Sequence, residues 1–217
     1  MPDILSRLLA FAAAALVAVG LAAPVSAAKA PALTTADRAD LARVEAYLNG
    51  ITTLKARFLQ VAPDGSYAEG NAYVARPGRM RLEYDPPTPI LVVADGRFLV
   101  YHDKQLQQTS YLGLDQTPAG ILLRPQINLS GDGDVRAVAV ERRPGVLNVT
   151  LRHRDPANGD LILVFSENPF ALRQWKVIDA QGQMTQVSLF QTQANVTLDP
   201  KLFTFDDPKM RAAPLDH

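Results

Sequence analysis

Turn chemistry interrupts this chain so often after its first fifty residues that no long element can form there. Pro63-Asp64-Gly65, Asp85-Pro86-Pro87, Asp95-Gly96, Pro144-Gly145, Asn168-Pro169 and Gln181-Gly182 each bound a short run with strand character. Proline fixes its own backbone angle and glycine reaches angles that other residues avoid, so such clusters read as turns. Between them lie expected strands at 54–62, 66–76, 79–84, 90–94, 97–102 and 105–112, then at 135–142, 146–153, 160–167, 172–179, 184–191 and 203–205. Residues 79–84 alternate cleanly, with Met80, Leu82 and Tyr84 against Arg79, Arg81 and Glu83. A period of two assigns whole faces, so Met80, Leu82 and Tyr84 should share one. About eleven short strands with hairpin-sized gaps predict one mainly β domain built as an antiparallel meander.

Two helices are expected beside the strands. Thr34 reads as an N-cap with Asp37 in the first turn, and Leu41, Val44, Leu48 and Ile51 recur at helical spacing before Asn49-Gly50 supplies the stop. Thr117-Pro118 opens a shorter helix over Ile121, Leu122 and Leu123. Asp199-Pro200 can open one more helical turn.

Three strands do not alternate. Residues 90–93, 98–101 and 161–165 are apolar on both faces. One face of an antiparallel sheet is normally wet, so these strands need cover on both sides. The helices can cover one. The other is an ordinary core or a wall around something apolar.

The first residues follow another logic. Residues 8–23 carry no charge, Arg7 precedes them, and Pro24-Val25-Ser26-Ala27-Ala28 places small residues before a cleavage point after Ala27 or Ala28. This is the layout of a secretory signal peptide, and the run is short of the roughly 20 residues of a spanning helix. Residues 1–28 are therefore expected to be removed on export, leaving 29–217 as one domain. The chain of 217 residues contains no Cys, which suits an oxidising compartment such as the periplasm and excludes thiol chemistry or a lipid-modified Cys anchor.

Chemistry is hard to find. Lys and Arg number 22 and so do Asp and Glu, leaving no electrostatic footprint for nucleic acid. His102, His153 and His217 lack metal-ligand spacing, and Asp132-Gly133-Asp134 and Asp206-Asp207 lack the spaced oxygens of a calcium loop. No nucleophile elbow, P-loop or dinucleotide fingerprint is present. No cofactor or metal is expected, nor is an enzyme.

In order, the features resemble one family. They are the export signal, one amphipathic helix, Phe58-Leu59-Gln60, a Gly-rich strand running into Val74-Ala75-Arg76-Pro77, and the alternating 80–84 strand. Leu91-Val92-Val93-Ala94-Asp95-Gly96, Thr117-Pro118 and Phe203-Thr204-Phe205 follow. The pattern is similar to the LolA family, periplasmic carriers of outer-membrane lipoproteins, over roughly residues 34–208. The resemblance implies a half-open antiparallel β-barrel of about eleven strands with a helical lid. It also implies a monomer that receives lipoproteins from an inner-membrane ABC transporter and hands them to an outer-membrane receptor.

Carried over by position, Arg76 is the lid latch, hydrogen-bonding carbonyls of the lid helices. Phe58, Met80, Leu82, Tyr84, Leu91, Val93, Phe98 and Val100 are expected to line the acyl-chain cavity, with Ile121, Leu122 and Leu123 on the lid helix. Trp175 reads as core. A binding protein of the same fold for a free lipid or glycolipid, a periplasmic hydrolase, and a structural or sensor module remain open alternatives.

Overall fold

In the computed structural model, residues 32–131 and 133–207 are described, without the side chains of Gln116, Pro118 and Ala119. The chain divides into residues 1–30 and 31–217. The first unit, with the expected signal peptide, lies outside the described residues, as do Asp132 and His217.

Helix α1 spans Thr35–Asn49. It starts on a reciprocal cap, in which the Asp37 amide donates to Thr34 Oγ1 at 3.1 Å and the Thr34 amide donates to Asp37 Oδ2 at 2.7 Å. These bonds, with help from Arg142, hold the Asp37 carboxyl below the usual carboxylate range. Leu41, Val44 and Leu48 form the buried stripe.

Eleven strands follow, every adjacent pair antiparallel: β1 (Thr53–Val61), β2 (Tyr67–Ala75), β3 (Arg79–Tyr84), β4 (Ile90–Asp95), β5 (Phe98–Asp103), β6 (Gln108–Gly113), β7 (Val135–Arg143), β8 (Val146–His153), β9 (Asp160–Glu167), β10 (Phe170–Ile178) and β11 (Met184–Ala194). They make one sheet in the order β6-β5-β4-β3-β2-β1-β11-β10-β9-β8-β7. The β1–β11 pairing joins the two halves of the meander, and β6 and β7 are the free edges, so the sheet stays open. Helix α2 (Pro118–Leu122) interrupts the meander; the Gly120 amide donates to the Thr117 cap hydroxyl at 3.2 Å.

Register assigns the two faces. On the inner face Leu54, Val74, Met80, Ala94 and Leu99 lie directly opposite one another in a row across five strands. Ala56, Ala72, Leu82, Val92 and Tyr101 form a second row. Both helices contribute to the buried cluster that holds or packs against these residues, except Tyr101, which is exposed at the end of its row. Arg81, Val93 and Val100 share the opposite, outer face, as do Leu91 and His102.

Cover for that outer face comes from the end of the described chain. The expected strand at 203–205 does not form. Pro200–Phe203 is instead a 3-10 turn capped by Asp199, whose side chain accepts from the Lys201 amide at 2.9 Å. Both edges of β3 and β4 are already paired, so this segment can dock only through side chains. Phe203 is buried near Arg79, Arg81 donates to the Leu202 carbonyl at 3.3 Å, and Phe205 packs on the His102 ring. The two-sided apolar character of β4 is thereby explained.

Candidate functional site

Between the C-terminal end of α1, α2 and the inner face lies an apolar cavity of about 60 Å³. Leu48 and Ile51 bound it on one side, and Leu122 and Leu123 on another. Leu54, Ala72, Val74, Met80 and Leu82 line it from β1 to β3, and Leu172, Trp175 and Leu189 from β10 and β11. A water needs on the order of 10–15 Å³, so the space as it stands admits only a few small molecules.

One end is plugged. Phe58 and Tyr84 meet edge to face at 5.0 Å, and the Tyr84 hydroxyl donates to Gln60 Oε1 at 2.7 Å. Gly70 lies opposite both Phe58 and Tyr84, and the Phe58 ring fills the place a side chain there would take. Burial pushes the Tyr84 phenol well above its ordinary pKa.

The other end is tied. Arg76, one residue beyond β2, donates through Nη1 to the carbonyls of Leu48 and Ile51, the latter at 3.2 Å. Nε and Nη2 both reach the Arg124 carbonyl, at 3.0 and 2.7 Å, and Nη2 also reaches Asn49 Oδ1 at 3.2 Å and the Pro125 carbonyl at 3.4 Å. Helix α1 has no basic residue in its last turn, so Arg76 brings a cation from the sheet to its C-terminal end, where the Leu48 carbonyl also accepts from the Ile51 amide at 3.2 Å. These acceptors are all neutral, and burial draws the guanidinium pKa down from its ordinary value.

Backbone and side-chain bonds complete the closure. The Gly78 amide donates to the Leu123 carbonyl at 2.8 Å. Gly78 has φ +75°, and a Cβ there would sit 2.8 Å from Gly96 Cα, so only glycine lets the two turns come this close. Asn49 joins α1 to the segment after α2, accepting from the Ile127 amide and donating to the Ile127 carbonyl, both at 2.9 Å. Glu45 Oε1 accepts from the amides of Leu129 and Ser130 at 2.6 and 3.0 Å.

Of the expected lining residues, Met80 and Leu82 reach the cavity wall, whereas Phe58 and Tyr84 share the inner face but form the end plug. Leu91, Val93, Phe98 and Val100 require correction: register puts them on the outer face. Met80 pairs with Ala94 and Leu82 with Val92, so the even-numbered residues of β4 look inward. An unbroken apolar run conceals its faces, and only the pairing partner reveals them. Phe98 is even partly exposed, edge to face with Tyr111 at 6.4 Å. On the lid, Leu122 and Leu123 face the cavity, while Ile121 is absent from its wall. Trp175, read as core, stands on the wall; its pairing with Val187, opposite Gln60, carries it to the inner face.

Among the described residues no three His, Asp or Glu side chains are grouped as metal ligands, and no helix is long and apolar enough to cross a membrane.

A family model for the outer membrane lipoprotein carrier protein LolA matches residues 49–206. An outer-membrane lipoprotein carrier protein of Pseudomonas paraeruginosa is 30% identical over 181 residues, which is 79% of this chain and 86% of the relative. One from Legionella pneumophila is 32% identical over 177 residues, 76% of this chain and 85% of its own. The crystal structure of a LolA superfamily protein from Nitrosomonas europaea aligns at 12% identity and a TM-score of 0.43, over 76% of this chain and 97% of that one.

Proposed function

Because the chain belongs to the LolA family of outer membrane lipoprotein carriers, we propose that it shields the acyl chains of lipoproteins and moves them through the periplasm from the inner to the outer membrane. The observation that carries this reading is the roofed apolar cavity, tied at one end by one guanidinium that donates to five neutral oxygens. Each methylene is worth about 0.8 kcal/mol on leaving water, so a long chain cannot cross an aqueous space unprotected. Lifting α1 and α2 exposes the inner face to that chain. Closing them restores the Arg76 bonds, which favours release without a nucleotide.

Such a carrier works by binding and release, with no bond made or broken in its cargo. Residues 1–28 serve as its export signal in this reading. An inner-membrane ABC transporter supplies the lipoprotein and an outer-membrane receptor accepts it. Arg76 acts as the latch, and Met80 and Leu82 belong to the acyl-contacting wall.

Mass spectrometry under native conditions, on protein isolated from periplasm, tests the proposal. Co-purifying lipoprotein supports it. A free lipid or glycolipid as sole cargo points to the binding-protein alternative and overturns it.

A further inference from the structure

A second, larger space adjoins the cavity. It is a cleft of about 520 Å³ between α2 and the turns that join β2 to β3 and β4 to β5. Gly78, Gly96, Arg97, Asp115, Ile121 and Arg124 are among its walls. Leu123, only 2% exposed, lines both spaces and is the partition between them.

Resting on the carrier reading, we propose that this cleft holds the polar linker of the cargo, meaning the glyceryl-cysteine and the first peptide units beyond the acyl chains. Hydrocarbon in the inner cavity is covalently continuous with esters, a thioether and amides. Those groups lose hydrogen bonds in an apolar cavity and must emerge into a polar space next to it. The Phe58–Tyr84 plug closes the opposite end. At the lid end, displacing Leu123 joins cavity and cleft into one channel.

The cleft mixes apolar walls with exposed polar groups that the inner cavity hardly offers, which suits a linker joining lipid to peptide. Arg97 and Asp115 are both exposed on its walls and offer donors and acceptors of opposite charge. Gly96 has φ +107° and no atom within 4 Å of where a Cβ would stand, so another backbone can approach it closely. Arg124 plays a different part. Asp134 grips its guanidinium at 2.8 and 2.6 Å, while its carbonyl accepts from Arg76.

Two probes compared on one protein test the assignment: palmitate, and a synthetic tripalmitoyl-glyceryl-cysteinyl hexapeptide, each competing with an apolar fluorophore. Asp115→Trp fills the cleft from an exposed position, and Arg97→Ala removes a donor without adding bulk. The expected result is a loss of about tenfold in lipopeptide affinity for Asp115→Trp and a smaller loss for Arg97→Ala, with palmitate affinity unchanged in both. Unchanged lipopeptide affinity in both folded variants overturns the proposal. An equal loss for the two probes also overturns it, because the effect then lies in the acyl cavity. If wild-type protein binds neither probe, the carrier reading itself fails.

Discussion

Arg76 directs two of its guanidinium nitrogens at the single carbonyl oxygen of Arg124, Nε at 3.0 Å and Nη2 at 2.7 Å, while Nη1 reaches the end of α1. One planar side chain thus bridges both parts of the lid, the α1 terminus and the segment after α2. Its fork geometry matters here, since an ammonium of point-like charge cannot span the two groups at once.

Removing the fork should trap cargo. Hydrogen bonds from a charged donor contribute about 1.5–3 kcal/mol, so Arg76→Leu weakens the closed state by that order. Because lid and cargo are linked, apparent retention tightens roughly ten- to hundredfold. In a two-step transfer assay the variant should load normally and deliver poorly, with Arg76→Lys between it and wild type. Normal delivery by folded Arg76→Leu protein returns Arg76 to a purely structural role.

At the plugged end the expected signature is alkaline. Tyr84 is buried and its folded pKa is raised, so its contribution is intact below the unfolded value of about 10 and fades as pH climbs from there toward the folded value. Tyr84→Phe also loses the bond to Gln60, worth about 0.5–1.5 kcal/mol at pH 8. Urea unfolding should show the gap between wild type and variant narrowing from pH 9 to pH 11. A gap that widens over this range contradicts a buried neutral phenol. Burial raises Tyr101 as well, so some alkaline slope remains in the variant.

Much of this was legible beforehand, and the reasons differ by element. The alternation of Met80, Leu82 and Tyr84 against charged neighbours fixed their face without any partner strand. Thr34 and Asp37 announced the start of α1 in the same local way. Leu91 and Val93 give no sign of their face because both faces of β4 are covered, one beneath the helices and one beneath residues 199–207, so the pattern holds no polar marker. The outer cover is itself hidden: Phe203-Thr204-Phe205 reads as a strand, yet β3 and β4, over which it lies, are already paired on both edges. Trp175 reads as core because an inward residue of a late strand looks the same whether it meets packed core or a cavity.

Trp175 is the only tryptophan in the chain, which makes the cavity optically addressable. Filling the cavity with hydrocarbon replaces any water at its indole face with apolar atoms. Titration with palmitate should therefore shift its emission to shorter wavelength and protect it from acrylamide quenching. Binding of a fluorescent lipid with no change in Trp175 emission places the ligand elsewhere.

The strongest test of the face assignment compares two buried residues of the same half of the sheet, one on β3 and one on β5. Met80 is 5% exposed on the inner face and lines the cavity; Val100 is 2% exposed on the outer face, paired with Val93. Truncating either removes packed methylenes, and both variants should lose stability, about 2–5 kcal/mol for Met80→Ala and somewhat less for Val100→Ala because fewer atoms are removed. Their effects on cargo should part. Met80→Ala enlarges the acyl wall and changes probe affinity beyond what lost stability explains, whereas Val100→Ala leaves affinity unchanged wherever the protein remains folded. Probe binding measured alongside urea midpoints separates the two quantities. Equal changes in affinity for both variants mean that the sheet responds as a whole, and a binding face can no longer be told from a structural one.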